Sequence, residues 1–134
     1  MQDRPDAKNL LETARRMLLD ELLPELPEAR LYETLMVARC MEIAARALAA
    51  GETPLHREYE SLSALIGETG VAARPPRDKA ELEQAIETRN LALCEAIRIG
   101  EFDGFRAAAL GEHLWQTVMD KVCETNPKYL KTLV

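Results

Sequence analysis

Three charged side chains fall where a helical reading puts apolar surface, and they are the first candidates for chemistry. Glu42 lies between Ala38 and Ala45, with Arg39 three residues before it and Arg46 four after, spacings at which side chains on one helix meet. Arg89 stands in the middle of a stripe formed by Leu82, Ala85, Ile86, Leu93 and Ala96. Glu21 shares a face with Leu10, Ala14, Met17 and Leu18. A charge on an apolar face is costly unless it is paired. The pattern predicts that Arg89 pairs with a carboxylate, Glu42 first and Glu21 second. Arg39, Glu42, Arg46 and Arg89 are then candidate ligand-binding residues: guanidinium groups gathered on a small pocket suit a carboxylate or phosphate. The same charges also suit a pair that sets helix register, or an arginine that runs along the core edge to solvent.

Other reactive types point nowhere specific. His56 and His113 are the only histidines, and neither has a glutamate three positions before it, so a carboxylate-bridged metal site has no motif. Both fall outside the central apolar stripe of their helices at 100° per residue, which predicts partly exposed surface histidines. Ser61 and Ser63 lack the strand-turn-helix context of a nucleophile elbow. No phosphate-binding glycine loop occurs. Cys40, Cys94 and Cys123 are odd in number and form no CxxC pair, which predicts free thiols in core or boundary positions. No catalytic residue, metal site or cofactor is therefore assigned. Trp115 is expected in the core, and Tyr129 is a candidate to clamp the tail.

The elements that must position these residues are helices. In 134 residues, 47% are apolar, 30% charged and only 4% aromatic, and leucine and alanine dominate. Proline and glycine punctuate the chain at Pro24, Pro27, Gly51, Gly67, Pro75, Pro76, Gly100 and Pro127. A first helix runs from an Asp3 cap to about Leu23 and a second from Pro27 or Glu28 to Ala50. Thr53 caps a short third that stops at Gly67. After a loop from Glu68 to Arg77, an Asp78–Glu81 capping box opens a fourth helix that ends at Ile99. A fifth runs to Thr125, with a possible break near Gly111, and Asn126–Pro127 stops it. The fold class that follows is all-α, a single domain over 1–134, with four long helices plus one short one in an up-and-down bundle.

The second helix is apolar on two sides. Leu31, Leu35, Ala38, Met41, Ala45 and Leu48 make one face; Met36, Cys40, Ile43 and Ala47 make another nearly opposite. A bundle of this size has no central position, so the second face is assigned to a subunit interface, most simply of a homodimer.

A net charge of −6 and no run of lysine and arginine argue against nucleic acid and against an anionic membrane. Lacking both an apolar signal region and a span near 20 residues, the chain is expected in the cytoplasm.

Two stretches resemble a family of small bacterial proteins of unknown function. Met1-Gln2-Asp3-Arg4-Pro5, Leu10-Leu11 and Asp20-Glu21-Leu22-Leu23-Pro24 are similar to its opening. Thr117-Val118-Met119-Asp120-Lys121-Val122 and Asn126-Pro127-Lys128-Tyr129-Leu130 are similar to its ending. Where that family often carries Val-Ala-Ala-Asn, this chain has Met36-Val37-Ala38-Arg39. Its members are commonly encoded beside acyl-CoA dehydrogenases and aminoglycoside-phosphotransferase-like proteins. By association, the resemblance implies a supporting role in acyl-group metabolism. The lack of a catalytic constellation and the doubly apolar second helix point to a non-catalytic accessory or interaction protein, with such a neighbour as its partner. The alternative is a small-molecule binder, or an enzyme, acting on an anionic metabolite through the Arg39, Glu42, Arg46 and Arg89 group.

Overall fold

Proline and glycine break the chain into helices as their chemistry requires, and the computed structural model describes residues 5–67 and 74–132. Of the described residues 84% are helical, and none lies in a strand. Among the described residues six α-helices follow one another, not the expected four long and one short: α1 (Ala7–Met17), α2 (Leu31–Ala50), α3 (Thr53–Ile66), α4 (Lys79–Arg98), α5 (Ala107–Thr125) and α6 (Pro127–Leu130). They divide into two compact units, Met1–Gly51 and Glu52–Val134. None of these helices is long and apolar enough to cross a membrane.

The first unit is a helical hairpin. Asp6 caps α1 by accepting from Asn9 N at 2.8 Å; the expected Asp3 cap lies outside the described residues. The expected helix to Leu23 changes its hydrogen bonding at Met17. Leu18–Leu22 forms a π-helical turn, with Leu23 N donating to Leu18 O, and Leu23–Glu25 is 3-10. That wider turn rotates the following residues off the α1 stripe, and Leu22 is exposed. A second 3-10 turn, Glu28–Arg30, precedes α2, which begins at Leu31 rather than Pro27. α1 and α2 pack antiparallel, Lys8 facing Ala49 and Arg15 facing Glu42 across one cavity. Small residues on α2 let them approach: Thr34, Ala38 and Ala45 are its buried positions.

Gly51 ends α2 at φ +59°, a backbone angle that glycine adopts without strain. Thr53 is already helical and makes no cap, because the capping position belongs to Glu52. In the second unit α3 is central, with α4 and α5 against it. The core gathers Leu62 and Leu65 from α3, Leu82, Ile86, Leu93 and Ala96 from α4, and Phe102 from the connection that follows. α5 runs antiparallel to α3, tied at Arg57–Asp120, Ser61–His113 and Leu65–Arg106 along its length. The last of these ties places a guanidinium on Leu65 O at the C-terminus of α3, where carbonyls lack helical partners.

Asp78 does cap α4, accepting from Glu81 N at 2.9 Å, but the reciprocal bond differs from a capping box. Glu81 accepts from Arg77 N, not from Asp78 N. α5 is unbroken through Gly111 and is entered by a 3-10 turn, Gly104–Arg106. Asn126 ends α5, and Pro127 then opens the single turn α6, where Tyr129 stays exposed instead of clamping the tail.

Candidate functional site

The charges on α2 form a compact cluster in the first unit. Arg39 Nη1 donates to Glu42 Oε2 at 2.8 Å, and Arg46 Nη1 lies 2.9 Å from Glu42 Oε1. α1 adds a cation that sequence reasoning did not include: Arg15 Nη2 is 3.9 Å from Glu42 Oε2. Partial burial alone would push the Glu42 carboxyl up. The hydrogen bonds from Arg39 and Arg46, helped by the charges of Arg46 and Arg15, outweigh it and hold the group below its ordinary value. A cavity of about 390 Å³ lies beside the cluster, lined in part by Lys8, Arg15, Glu42 and Arg46. Arg15 Nε is buried and lacks a hydrogen-bond partner among the described residues.

Arg89 belongs to the second unit and does not have the expected carboxylate partner. It is only 6% exposed. Its Nε donates to Ser63 Oγ at 3.1 Å, Nη1 to Ala85 O at 3.3 Å and Nη2 to Tyr59 Oη at 3.3 Å. Its guanidinium carbon stacks 4.4 Å from the Tyr59 ring centre. The correction has a local cause. α3 presents Tyr59 and Ser63 one helical turn apart on the side that receives α4, and a neutral hydroxyl and an aromatic face take the guanidinium there. Glu21, the second expected partner, is exposed. The structure thus brings Arg39, Glu42 and Arg46 together and gives Arg89 a setting of its own.

His113 corrects the expectation of a surface histidine. It is 3% exposed, its Nδ1 2.8 Å from Ser61 Oγ. Burial lowers the pKa of the imidazole, and the charge of Lys121 acts the same way against an opposing pull from Glu58. Serine and histidine within hydrogen-bond reach are types that serve nucleophilic catalysis. Here the ring is enclosed against α3, and the pair ties two helices. The cause is a polar seam: along most of its length α5 meets α3 through His113 and Asp120, and Leu110 is the apolar residue of α5 packed against the core. Trp115, expected in the core, is therefore 56% exposed, and Leu114 and Val118 beside it are open as well. Arg57 and Ser61 on α3 stand four apart, opposite Asp120 and His113, and that spacing is the signal sequence reasoning passed over. His56 is exposed, beside Glu52 at 3.7 Å. The three cysteines are free and exposed, not in the core.

Of the interface candidates, Met36 and Cys40 are exposed, and Ile43 and Ala47 are half-buried. At 100° per residue they point away from Ala38 by about 140–200°, which is the side of α2 turned from α1.

A family model for a domain of unknown function, DUF6285, matches residues 24–129. The chain belongs to that family. The DUF6285 span takes in Arg39, Glu42, Arg46, Arg89, Ser61 and His113, and leaves α1 with Arg15 outside. It includes the closing motif as far as Tyr129 and, of the opening motifs, only Pro24. No curated protein and no solved structure matches the chain.

Proposed function

We propose that this chain is a non-catalytic accessory protein whose work is to bind another protein. The observation that carries the reading is the apolar surface its helices leave open. Met36 on α2, Phe105 before α5, and Leu114, Trp115 and Val118 on α5 are all exposed, Phe105 almost completely. Exposed aromatic and long apolar side chains of this kind are the residues that dominate protein interfaces. The reading includes a homodimer through Met36, Cys40, Ile43 and Ala47, and residence in the cytoplasm. It also includes an up-and-down bundle, which the antiparallel packing of α1 on α2 and of α5 on α3 supports. A partner such as an acyl-CoA dehydrogenase or an aminoglycoside-phosphotransferase-like protein rests on the family resemblance alone.

Light scattering on a sizing column tests it. The wild-type chain is expected at twice its 15.0 kDa mass, and Ile43→Asp at the monomer mass with its helical circular dichroism unchanged. Addition of a purified acyl-CoA dehydrogenase is expected to give a mixed peak. A wild-type monomer that ignores the dehydrogenase refutes the reading.

A second reading is favoured by the arginines. Of the four candidate residues, Arg39, Glu42 and Arg46 would bind an anionic metabolite in the first unit, supported by the cavity beside Glu42, and Arg89 would bind one separately in the second, supported by its buried guanidinium. Saturable thermal stabilisation by carboxylated or phosphorylated metabolites, lost in Arg46→Met or Arg89→Met, is the expected result.

A further inference from the structure

Arg89 is a buried cation whose acceptors are all neutral. Ser63 spends its hydroxyl proton on Tyr59 O at 2.8 Å, so its oxygen is set as an acceptor for Arg89 Nε. The Ala85 carbonyl and the Tyr59 hydroxyl take one hydrogen from each Nη nitrogen. A guanidinium has five N–H donors, so one remains on each Nη. No carboxylate lies within ion-pair distance of Arg89 among the described residues. A buried charge in that condition lacks the counter-ion that ordinarily offsets its desolvation. Three neutral acceptors and the Tyr59 face also fix the plane of the fork, so little rotamer freedom is left to lose when an anion arrives.

Arg89 lines a cavity of about 350 Å³, within the range of small-ligand sites. Its other walls are mainly apolar: Tyr59, Pro76, Ala80, Ala85 and the Thr88 side chain. Arg74 also borders it, but its guanidinium is 3.1 Å from Glu81 Oε1. One cation without a carboxylate partner among the described residues therefore faces the cavity, and the Glu81 carboxylate beside it is already held by Arg74 and Arg77. A single negative charge on an apolar body suits one such cation and these walls.

We propose that the Arg89 cavity binds a small organic monocarboxylate, its carboxylate taking the two remaining Nη donors and its apolar body lying against Pro76, Ala80 and Ala85. This narrows the second reading above to one of its four residues and rests on it only there. The bound acid supplies the counter-ion that α3 and α4 do not.

Titration calorimetry on the full chain, with hexanoate as the probe, tests the site. Hexanoate is expected to bind at one saturable site, with hexanamide and inorganic phosphate each at least tenfold weaker. Arg89→Lys keeps a charge but loses the fork, and should weaken hexanoate at least tenfold. Ala80→Phe fills the cavity from an exposed position and should abolish binding while leaving thermal unfolding unchanged, which keeps the test valid if Arg89→Lys folds poorly. Hexanoate binding no tighter than hexanamide, or unaltered by Ala80→Phe, overturns the proposal. So does a free peptide C-terminus that binds more tightly than hexanoate, since the occupant would then be a polypeptide. Hexanoate binding lost in Arg46→Met and kept in Arg89→Lys also overturns it, and leaves the broader anion reading standing on α2.

Discussion

The buried Ser61–His113 bond makes a quantitative claim about stability. Ser61→Ala changes the side chain by one oxygen, so packing is nearly conserved, yet it strips His113 Nδ1 of its 2.8 Å partner inside the α3–α5 seam. A buried polar atom left unsatisfied costs about 1–3 kcal/mol. Thr88 supplies the control. Its hydroxyl bonds a backbone carbonyl, Gln84 O at 2.9 Å, from an exposed position, and Thr88→Ala should stay within about 0.5 kcal/mol of wild type. Urea unfolding at pH 7.5 reads both, with Trp115 on α5 as the fluorescent reporter and circular dichroism as the second probe.

The same histidine sets a pH dependence. Burial lowers the folded pKa of His113 below the ordinary value of 6.5, while the unfolded imidazole takes its proton near that value. Between the two the unfolded state holds more protons, so stability rises with pH. The contribution is complete above the unfolded pKa and is lost as pH falls through the folded one. Each pH unit inside that window is worth about 1.4 kcal/mol. His113→Gln should flatten the profile below 6.5. A Ser61→Ala cost under about 0.5 kcal/mol, together with an unchanged slope in His113→Gln, would refute the claim that this seam holds α5.

Leu62 is fully buried at the centre of the α3–α4 core, and Leu62→Ala should lower stability by about 2–5 kcal/mol in the same urea assay; a loss below about 1 kcal/mol would mean that α3 is not the central helix of its unit. Glu81 accepts hydrogen bonds from the Arg77 side chain and backbone and sits near the charges of Arg77 and Arg74, which bring its carboxyl down to about 2. Carboxyl chemical shifts followed against pH should show it ionised well below the ordinary carboxyl value of 4.5, and Arg77→Gln should raise it; a titration near 4.5 in wild type would remove the pair.

Helix existence was legible because it depends on local chemistry. Gly51 and Gly67 stop helices where they were expected to, Asp78 caps α4, and Leu82, Ile86 and Leu93 lie in the core as their spacing requires. What failed was the step from an apolar stripe to a packing partner. Leu114, Trp115 and Val118 have the right period and stay exposed, while α5 meets its neighbours through Leu110, His113 and Asp120. Periodicity says that a face is apolar and leaves open which side of the helix meets its neighbour.

The charged residues failed for a related reason. Glu42 found Arg39 and Arg46 at the local spacings that had been read, because those distances are set by one helix. Arg89 required knowledge of what stood opposite it, and the assumption that a buried cation needs a carboxylate chose the wrong class of partner. Tyr59 and Ser63 offer a ring face and an oxygen, which hold the guanidinium in place without neutralising it. A counter-ion within the chain would have made Arg89 a register pin. Its absence among the described residues turns a structural charge into a binding hypothesis, and it also explains why no arrangement of acidic residues in the sequence could have pointed to the cavity.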